Sequence, residues 1–289
     1  MSQESQLPPA ADGRVPEPGA DSADLLREIV RLRDHNADLQ ERLHAHPAIS
    51  LAQGVLMERY RLPAPEASFT LLREASQRFN IKLHTLADAV VRTPHRPDGP
   101  ARPADRARTP PPPLPGLRTA GADRTHQGEV LSAALHRVLD ITGAGMGNVQ
   151  LAEGGRLRMV RHSGLDREFT SFFAFVDSPT TSCAQAAEHR RQVTVRDVAT
   201  ADVFDEGSRH VILRAGSRAC HSVPLVNRAG VPIGMASSHH ERPLPGFTKA
   251  QLQALEATGL MVGRWLSWHR HTVVLDALDH LHTTATADR

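Results

Sequence analysis

The sequence of 289 residues is poor in lysine, cysteine and aromatic side chains. Its two cysteines, Cys183 and Cys220, form no CxxC pair, so we expect reduced thiols rather than a disulfide framework. No apolar run reaches about 18 residues, and the start lacks the basic-then-apolar order of a signal peptide. These absences predict a cytoplasmic protein without membrane contact. The net charge is +2, so any nucleic-acid affinity must come from a local patch.

Signatures of catalysis and of metal binding are also missing from the sequence. The glycines at 143, 145 and 147 lead into a predicted strand rather than a helix, which excludes a phosphate-binding loop. There is no nucleophile elbow, paired-carboxylate motif or kinase signature. The 17 histidines include no i, i+4 pair with a supporting third ligand. We therefore expect neither an enzyme nor a metal site.

The first 45 residues divide into a disordered tail at 1–20, rich in Pro, Gly and acidic residues, and a helical segment at 21–45. Apolar residues in that segment recur at alternating spacings of four and three, which predicts a coiled coil that dimerises the chain. A single asparagine in the seam favours a parallel pair. The alternative is an amphipathic helix packed on its own domain. The predicted seam consists of Leu25, Ile29, Leu32, Asn36, Leu39 and Leu43.

Residues 46–92 show three short helical patterns, each too short to be stable alone, so they must share one small core. Pro65 is suited to the first turn of the second helix and Asn80 to its left-handed end. Thr85 is the predicted N-cap of the third helix. Residues 93–125 are rich in Pro and Arg and predict an extended linker.

From residue 126 onwards helical and strand patterns mix. The patterns predict helices at Gln127–Thr142 and Ser182–His189, the strand Val193–Val195, and a β-hairpin with a turn at 227–230. The last predicted helix opens with a capping box formed by Thr248 and Gln251. We therefore expect an α+β domain at 126–268, with an antiparallel sheet flanked by helices. Residues 269–289 are predicted to prolong the last helix and then fray.

The stretch from His46 to Val91 resembles the ANTAR domain, the RNA-binding module of transcription antitermination regulators. The similarity lies in the segments Ile49 to Arg59, Glu66 to Phe69, Leu72-Arg73 and Asn80 to Leu83, followed by apolar residues up to Val91. The family binds paired hairpins in nascent transcripts, so the resemblance implies RNA rather than DNA as the partner. It also implies a homodimer joined through the preceding coiled coil.

The residues expected to contact RNA are polar or small positions outside the core stripes of the three helices. One of these residues departs from the family pattern, because Gln53 stands where the family has lysine. The absence of the lysine charge removes about one phosphate contact. Tyr60 would either stack on an unpaired base or close the small core. The predicted RNA-binding residues are Gln53, Gly54, Arg59, Arg73, Arg78, Lys82 and His84.

The second region resembles a GAF domain. The similarity lies in Ser182 to Ala187, Val193 to Val198, Ala219 to Leu225 and Gly230 to His239. Such domains bind cyclic nucleotides, bilins, haem or no known ligand, so the identity of a small-molecule ligand stays open. The predicted pocket is lined by Phe172, Phe173, Cys183 and His221.

Two hypotheses follow for the whole chain. In the first, the GAF domain senses a signal and controls RNA binding by the ANTAR domain. In the second, the chain is a dimeric signalling scaffold whose ANTAR-like module contacts protein, and Gln53 favours this reading.

Overall fold

The computed structural model describes residues 47–93, 109–118, 126–176 and 180–287. The predicted coiled coil at 21–45, with all six residues of its seam, lies outside the described residues. Within those that are described, no helix is both long enough and apolar enough to cross a membrane.

The described part contains eight helices and six strands. Residues 47–60 are helical and are named α1. The other helices are α2 Pro65–Arg78, α3 Leu83–Arg92, α4 Gln127–Thr142, α5 Arg167–Phe172, α6 Ser182–His189, α7 Glu206–Arg214 and α8 Lys249–Ala287. The strands are β1 Met146–Glu153, β2 Arg156–Ser163, β3 Phe175–Val176, β4 Val193–Val195, β5 Ala219–Val226 and β6 Pro232–His240.

Helices α1 to α3 form a small bundle whose apolar faces meet in one core. Asn80 has a φ of 50°, so the predicted left-handed end of α2 is confirmed. The predicted cap of α3 is wrong: this helix begins at Leu83 with Lys82 at the N-cap, two residues before Thr85. Tyr60 is buried in the shared core, which makes it a core residue rather than a stacking platform.

The second domain is built on a six-stranded sheet in the order β3-β2-β1-β6-β5-β4, and every neighbouring pair is antiparallel. Helices α4 and α8 cover one face, where Val149 and Leu151 of β1 join their core. Helices α5, α6 and α7 cover the other face, where Met146 of β1 joins a second core. The predicted α+β fold with flanking helices is confirmed.

Helix α8 is 39 residues long and takes part in two of the three cores. Its first half packs on the sheet through Leu255, Val262 and Trp265. Its second half does not fray, since the helix continues to Ala287 and buries a further apolar stripe against α1, α2 and α3. That stripe consists of Val274, Ala277, Leu278, Leu281 and Ala285.

The described part of the proline-rich segment, residues 109–118, is also packed, whereas the sequence predicts a spacer. Leu114 is buried in the core beside α4 and α8. The indole of Trp268 donates to the carbonyl oxygen of Thr109 at 2.7 Å, and Arg137 donates to the carbonyl oxygen of Gly116 at 2.9 Å. This piece of the segment therefore belongs to the second domain.

Candidate functional site

The helical bundle has an exposed surface around the contact between α1 and the start of α2, which includes Gly54, Pro65 and Arg73 and is named the free face. Gln53 donates from Nε2 to the carbonyl oxygen of Pro65 at 3.0 Å, so its amide is already used within the bundle. Gly54 follows it in the middle of α1 and is exposed. A Cβ at Gly54 would meet no atom within 4 Å, so the fold itself does not require glycine there. Because glycine weakens a helix by roughly 0.8–1.0 kcal/mol relative to alanine, Gly54 lowers the stability of α1 without relieving a contact within the described residues.

The predicted RNA-binding cations differ in how accessible they are. Arg73, Arg78 and Lys82 are exposed on α2 and at the start of α3. Arg59 is half-buried, and its Nη2 donates to the carbonyl oxygens of Val90 at 3.1 Å and Thr93 at 3.0 Å. Those carbonyls lie at the C-terminal end of α3, where helical carbonyls lack partners. Arg59 therefore connects α1 to α3. It is not an exposed cation, in contrast to Arg73, Arg78 and Lys82.

His84 does not lie on the free surface, so its prediction as an RNA-contacting residue is corrected. Its Nε2 lies 3.8 Å from Oε2 of Glu153 at the end of β1, and both side chains are 24% exposed. Burial, followed by the nearby charge of Arg158, lowers the pKa of His84 to about 4. His84 is therefore neutral at pH 7 and offers no cation to a phosphate.

Glu153 is the centre of this junction between the bundle and the sheet. Arg158 of β2 donates two bonds to its carboxylate, at 2.7 and 3.0 Å. Burial alone would raise the pKa of Glu153, but the hydrogen bonds from Arg158, together with the charges of Arg158 and Arg270, outweigh burial and lower it. The β1–β2 turn thus presents a charged group to α3 of the bundle.

The second half of α8 forms the other part of the junction. The hydroxyl of Tyr60 lies 3.1 Å from Nδ1 of His282, and the ring of Phe79 lies 5.7 Å from that of His280. Together with the apolar stripe of α8, these contacts make the C-terminal helix a fourth member of the bundle core. A single helix therefore belongs to both cores, which gives a direct mechanical connection between the two domains.

The four predicted pocket residues of the second domain do not come together. Phe173 and Cys183 are buried in the core beneath α5 and α6. Phe172 is 48% exposed and packs from the surface against Phe173, with 4.8 Å between the ring centroids. His221 points to the opposite face of the sheet, because it shares strand parity with Val223 of the α4–α8 core. The prediction of one pocket lined by all four is therefore wrong.

The structure instead places a polar row on the sheet face that α5, α6 and α7 cover. The strand register sets Asn148 of β1 beside Ser237 of β6, and Ser237 beside Ser222 of β5. The hydroxyl of Ser222 lies 2.9 Å from that of Ser237 and 3.1 Å from that of Ser182 at the start of α6. The alternation of polar and apolar residues along β1 carries this signal in the sequence, where our prediction overlooked it.

Two amides on this face have unused hydrogen-bonding atoms although they are almost fully buried. Gln150 is 1% exposed and neither its Oε1 nor its Nε2 has a hydrogen-bond partner; Oδ1 of Asn148, which is 4% exposed, has none either. An unsatisfied buried polar group costs about 1–3 kcal/mol. Such groups are expected where a small polar molecule binds.

The titratable groups near the polar row are neutral at pH 7. Burial, followed by the charge of His240, lowers the pKa of His239 to about 3. Burial raises the pKa of the Cys220 thiol to about 12 and also raises that of Cys183. Neither thiol is an activated nucleophile. Among the residues that the structure describes, no group of three His, Cys, Asp or Glu side chains is arranged to hold a metal ion.

Comparisons with known proteins identify both domains. Residues 37–91 match the family model of the ANTAR domain, and residues 125–263 match that of the GAF domain. The chain therefore contains an ANTAR domain followed by a GAF domain. No curated protein matches the chain.

Solved structures similar to this chain cover about half of it. A GAF domain/HD domain protein from Geobacter sulfurreducens is 16% identical over 50% of this chain and 94% of its own, with a TM-score of 0.43. The GAF domain of an Acinetobacter phosphoenolpyruvate-protein phosphotransferase is 15% identical over 51% and 85%, with a TM-score of 0.41. A type II free methionine-R-sulfoxide reductase from Thermoplasma acidophilum is 14% identical over 50% and 96%, with a TM-score of 0.39.

Proposed function

We propose that this chain is a cytoplasmic, homodimeric regulator of transcription antitermination, whose ANTAR domain binds hairpins in nascent RNA under the control of its GAF domain. In this proposal the protein is a regulator and not an enzyme. The observation that carries it is helix α8, which belongs to the cores of both domains. A change in the GAF core that shifts α8 also changes the packing of α8 against the ANTAR bundle, because packed interiors transmit strain.

The RNA part of the proposal is supported by the free face of the ANTAR domain. The exposed side chains Arg73, Arg78 and Lys82 supply phosphate contacts, and Gly54 leaves room for a backbone or base. Gln53 in the family's lysine position makes the phosphate contribution smaller and leaves more of the affinity to contacts with bases.

The RNA proposal is tested by filter binding of the full chain to an RNA with two hairpins, over a range of salt concentrations. We expect loop-dependent binding, and we expect Gln53→Lys to steepen the plot of log K against log salt by about 0.7–0.9, the contribution of one added phosphate contact. If the wild-type chain and the variant each bind RNAs of different loop sequence with the same affinity, the scaffold hypothesis is favoured instead.

The sensor part of the proposal is supported by three buried amide atoms without a hydrogen-bond partner, Oδ1 of Asn148 and both Oε1 and Nε2 of Gln150. Because the neighbouring side chains are neutral, the expected ligand is a small, uncharged molecule with hydrogen-bond donors and acceptors. Native mass spectrometry of the purified full chain should detect such a molecule, and Gln150→Leu should lose it. A mass equal to that of the polypeptide alone in both proteins contradicts this part.

A further inference from the structure

The ANTAR domain exposes an aromatic ring that its own core does not use. Phe69 lies on α2 and is 38% exposed, whereas Ser68, Leu72 and Ala75 of the same helix are buried. The other two aromatic rings in the described residues of this domain have packing partners, Tyr60 beside His282 and Phe79 beside His280.

The neighbours of Phe69 along α2 define a stripe of the free face. Pro65 lies one turn before it, and Arg73 lies one turn after it and is exposed. The carbonyl oxygen of Pro65 accepts the bond from Gln53, so the stripe continues onto α1 beside Gly54. Glu66, also exposed, is the acidic residue on the N-terminal side.

This combination of side chains suits an unpaired nucleotide better than a protein partner. A flat ring offers its face to any base, and a guanidinium plane one turn away can stack on the next base or contact its phosphate. A glycine with open space beside it permits the close approach that a nucleotide backbone needs. The anionic phosphate complements Arg73, whereas a protein interface would require a broader apolar patch.

We propose that Phe69 stacks on an unpaired base of a bound hairpin loop, with Arg73 beside it on the neighbouring phosphate or base. This proposal rests on the proposed RNA-binding function and names the residue that holds the loop. Phe69 is thereby an affinity-determining contact of the ANTAR domain, because a flat ring can stack on any base.

The test uses the full chain and a two-hairpin RNA in which 2-aminopurine replaces each loop base in turn. Stacking on an aromatic ring quenches the fluorescence of 2-aminopurine, so the wild-type chain should quench one loop position strongly. Phe69→Ala should weaken RNA binding about 5- to 150-fold, which corresponds to the loss of one base–aromatic stack, and should abolish that quench. Phe69→Trp should retain both, which separates stacking from a role in folding.

Phe172→Ala is the matched control, because it is the same substitution at a 48% exposed ring on α5 of the GAF domain. It should leave the affinity and the quench unchanged. A Phe69→Ala protein that binds RNA as tightly as wild type and keeps the quench overturns the proposal. So does a Phe69→Ala protein that loses self-association in sedimentation while its RNA binding is unchanged, since Phe69 would then contact protein. A folded wild-type chain that binds no RNA overturns the proposed function itself.

Discussion

Replacing Gly54 with alanine should stabilise the protein and weaken RNA binding at the same time. The position lies inside α1, and a Cβ there meets nothing within 4 Å. Alanine should therefore contribute its full helix propensity, raising the free energy of unfolding by about 0.8–1.0 kcal/mol. For a chain of this size we expect a melting temperature about 2–4 °C higher. In the complex, the added methyl group would meet the RNA and cost about 1–3 kcal/mol, or roughly 5- to 150-fold in affinity.

The two effects are measured by thermal unfolding and by filter binding with the same preparation. Gly263→Ala is the matched control, because it is the same substitution inside α8 at a position where a Cβ would clash with the carbonyl oxygen of Val226. That variant should lose stability. If Gly54→Ala is more stable but binds RNA as tightly as wild type, the close approach at this position is refuted. If it is less stable, the inference of open space fails.

Three further outcomes follow from the packing. Leu281→Asp should lower the free energy of the first urea-unfolding transition by at least about 2 kcal/mol, because it places a charge in the joint core of α8 and the bundle. The control Thr283→Asp, at an exposed position of α8, should change that free energy by less than about 0.5 kcal/mol. Equal effects of the two substitutions would contradict the docking of α8 on the bundle. Burial lowers the pKa values of His221 and His239 to about 4 and 3, so below pH 6.5 the unfolded chain binds protons that the folded chain does not bind. The free energy of unfolding, measured by urea titration, should therefore fall from pH 7 towards pH 4. A free energy of unfolding that does not change with pH would argue against neutral buried imidazoles. Cys183 should resist iodoacetamide in the folded protein at pH 7.5 and react in urea, since burial raises the pKa of its thiol; rapid labelling of the native chain would refute this.

Much of the GAF fold could be predicted because its elements carry local signals. Helix α4, helix α6 and strand β4 have the predicted bounds, and the capping box exists, with Gln251 N donating to Oγ1 of Thr248 at 3.2 Å. Helix α7 was not predicted, although Asp205 is a suitable N-cap and accepts from the backbone N of Ser208 at 2.7 Å. The helix is short and polar, so its apolar period is weak.

The candidate site was harder to predict than the fold, because it depends on contacts between distant segments. Helical periodicity places Gly54 and Arg73 outside the core stripes, and both are exposed. The same periodicity cannot show that Arg59 would bond the end of α3 or that His84 would face Glu153 of the other domain. The apolar residues of the C-terminal tail were visible in the sequence, but the surface that they cover lies about 200 residues away along the chain.

The central claim, control of antitermination through RNA, is tested most directly by single-round transcription in vitro. The template would carry a leader with two hairpins that overlap a terminator, and the full chain would be added before release of the polymerase. The account predicts that wild-type protein changes the fraction of full-length transcript, and that Phe69→Ala protein, folded by its melting curve, does not. Unchanged termination with saturating, folded wild-type protein, on leaders with either intact or scrambled loops, would contradict it.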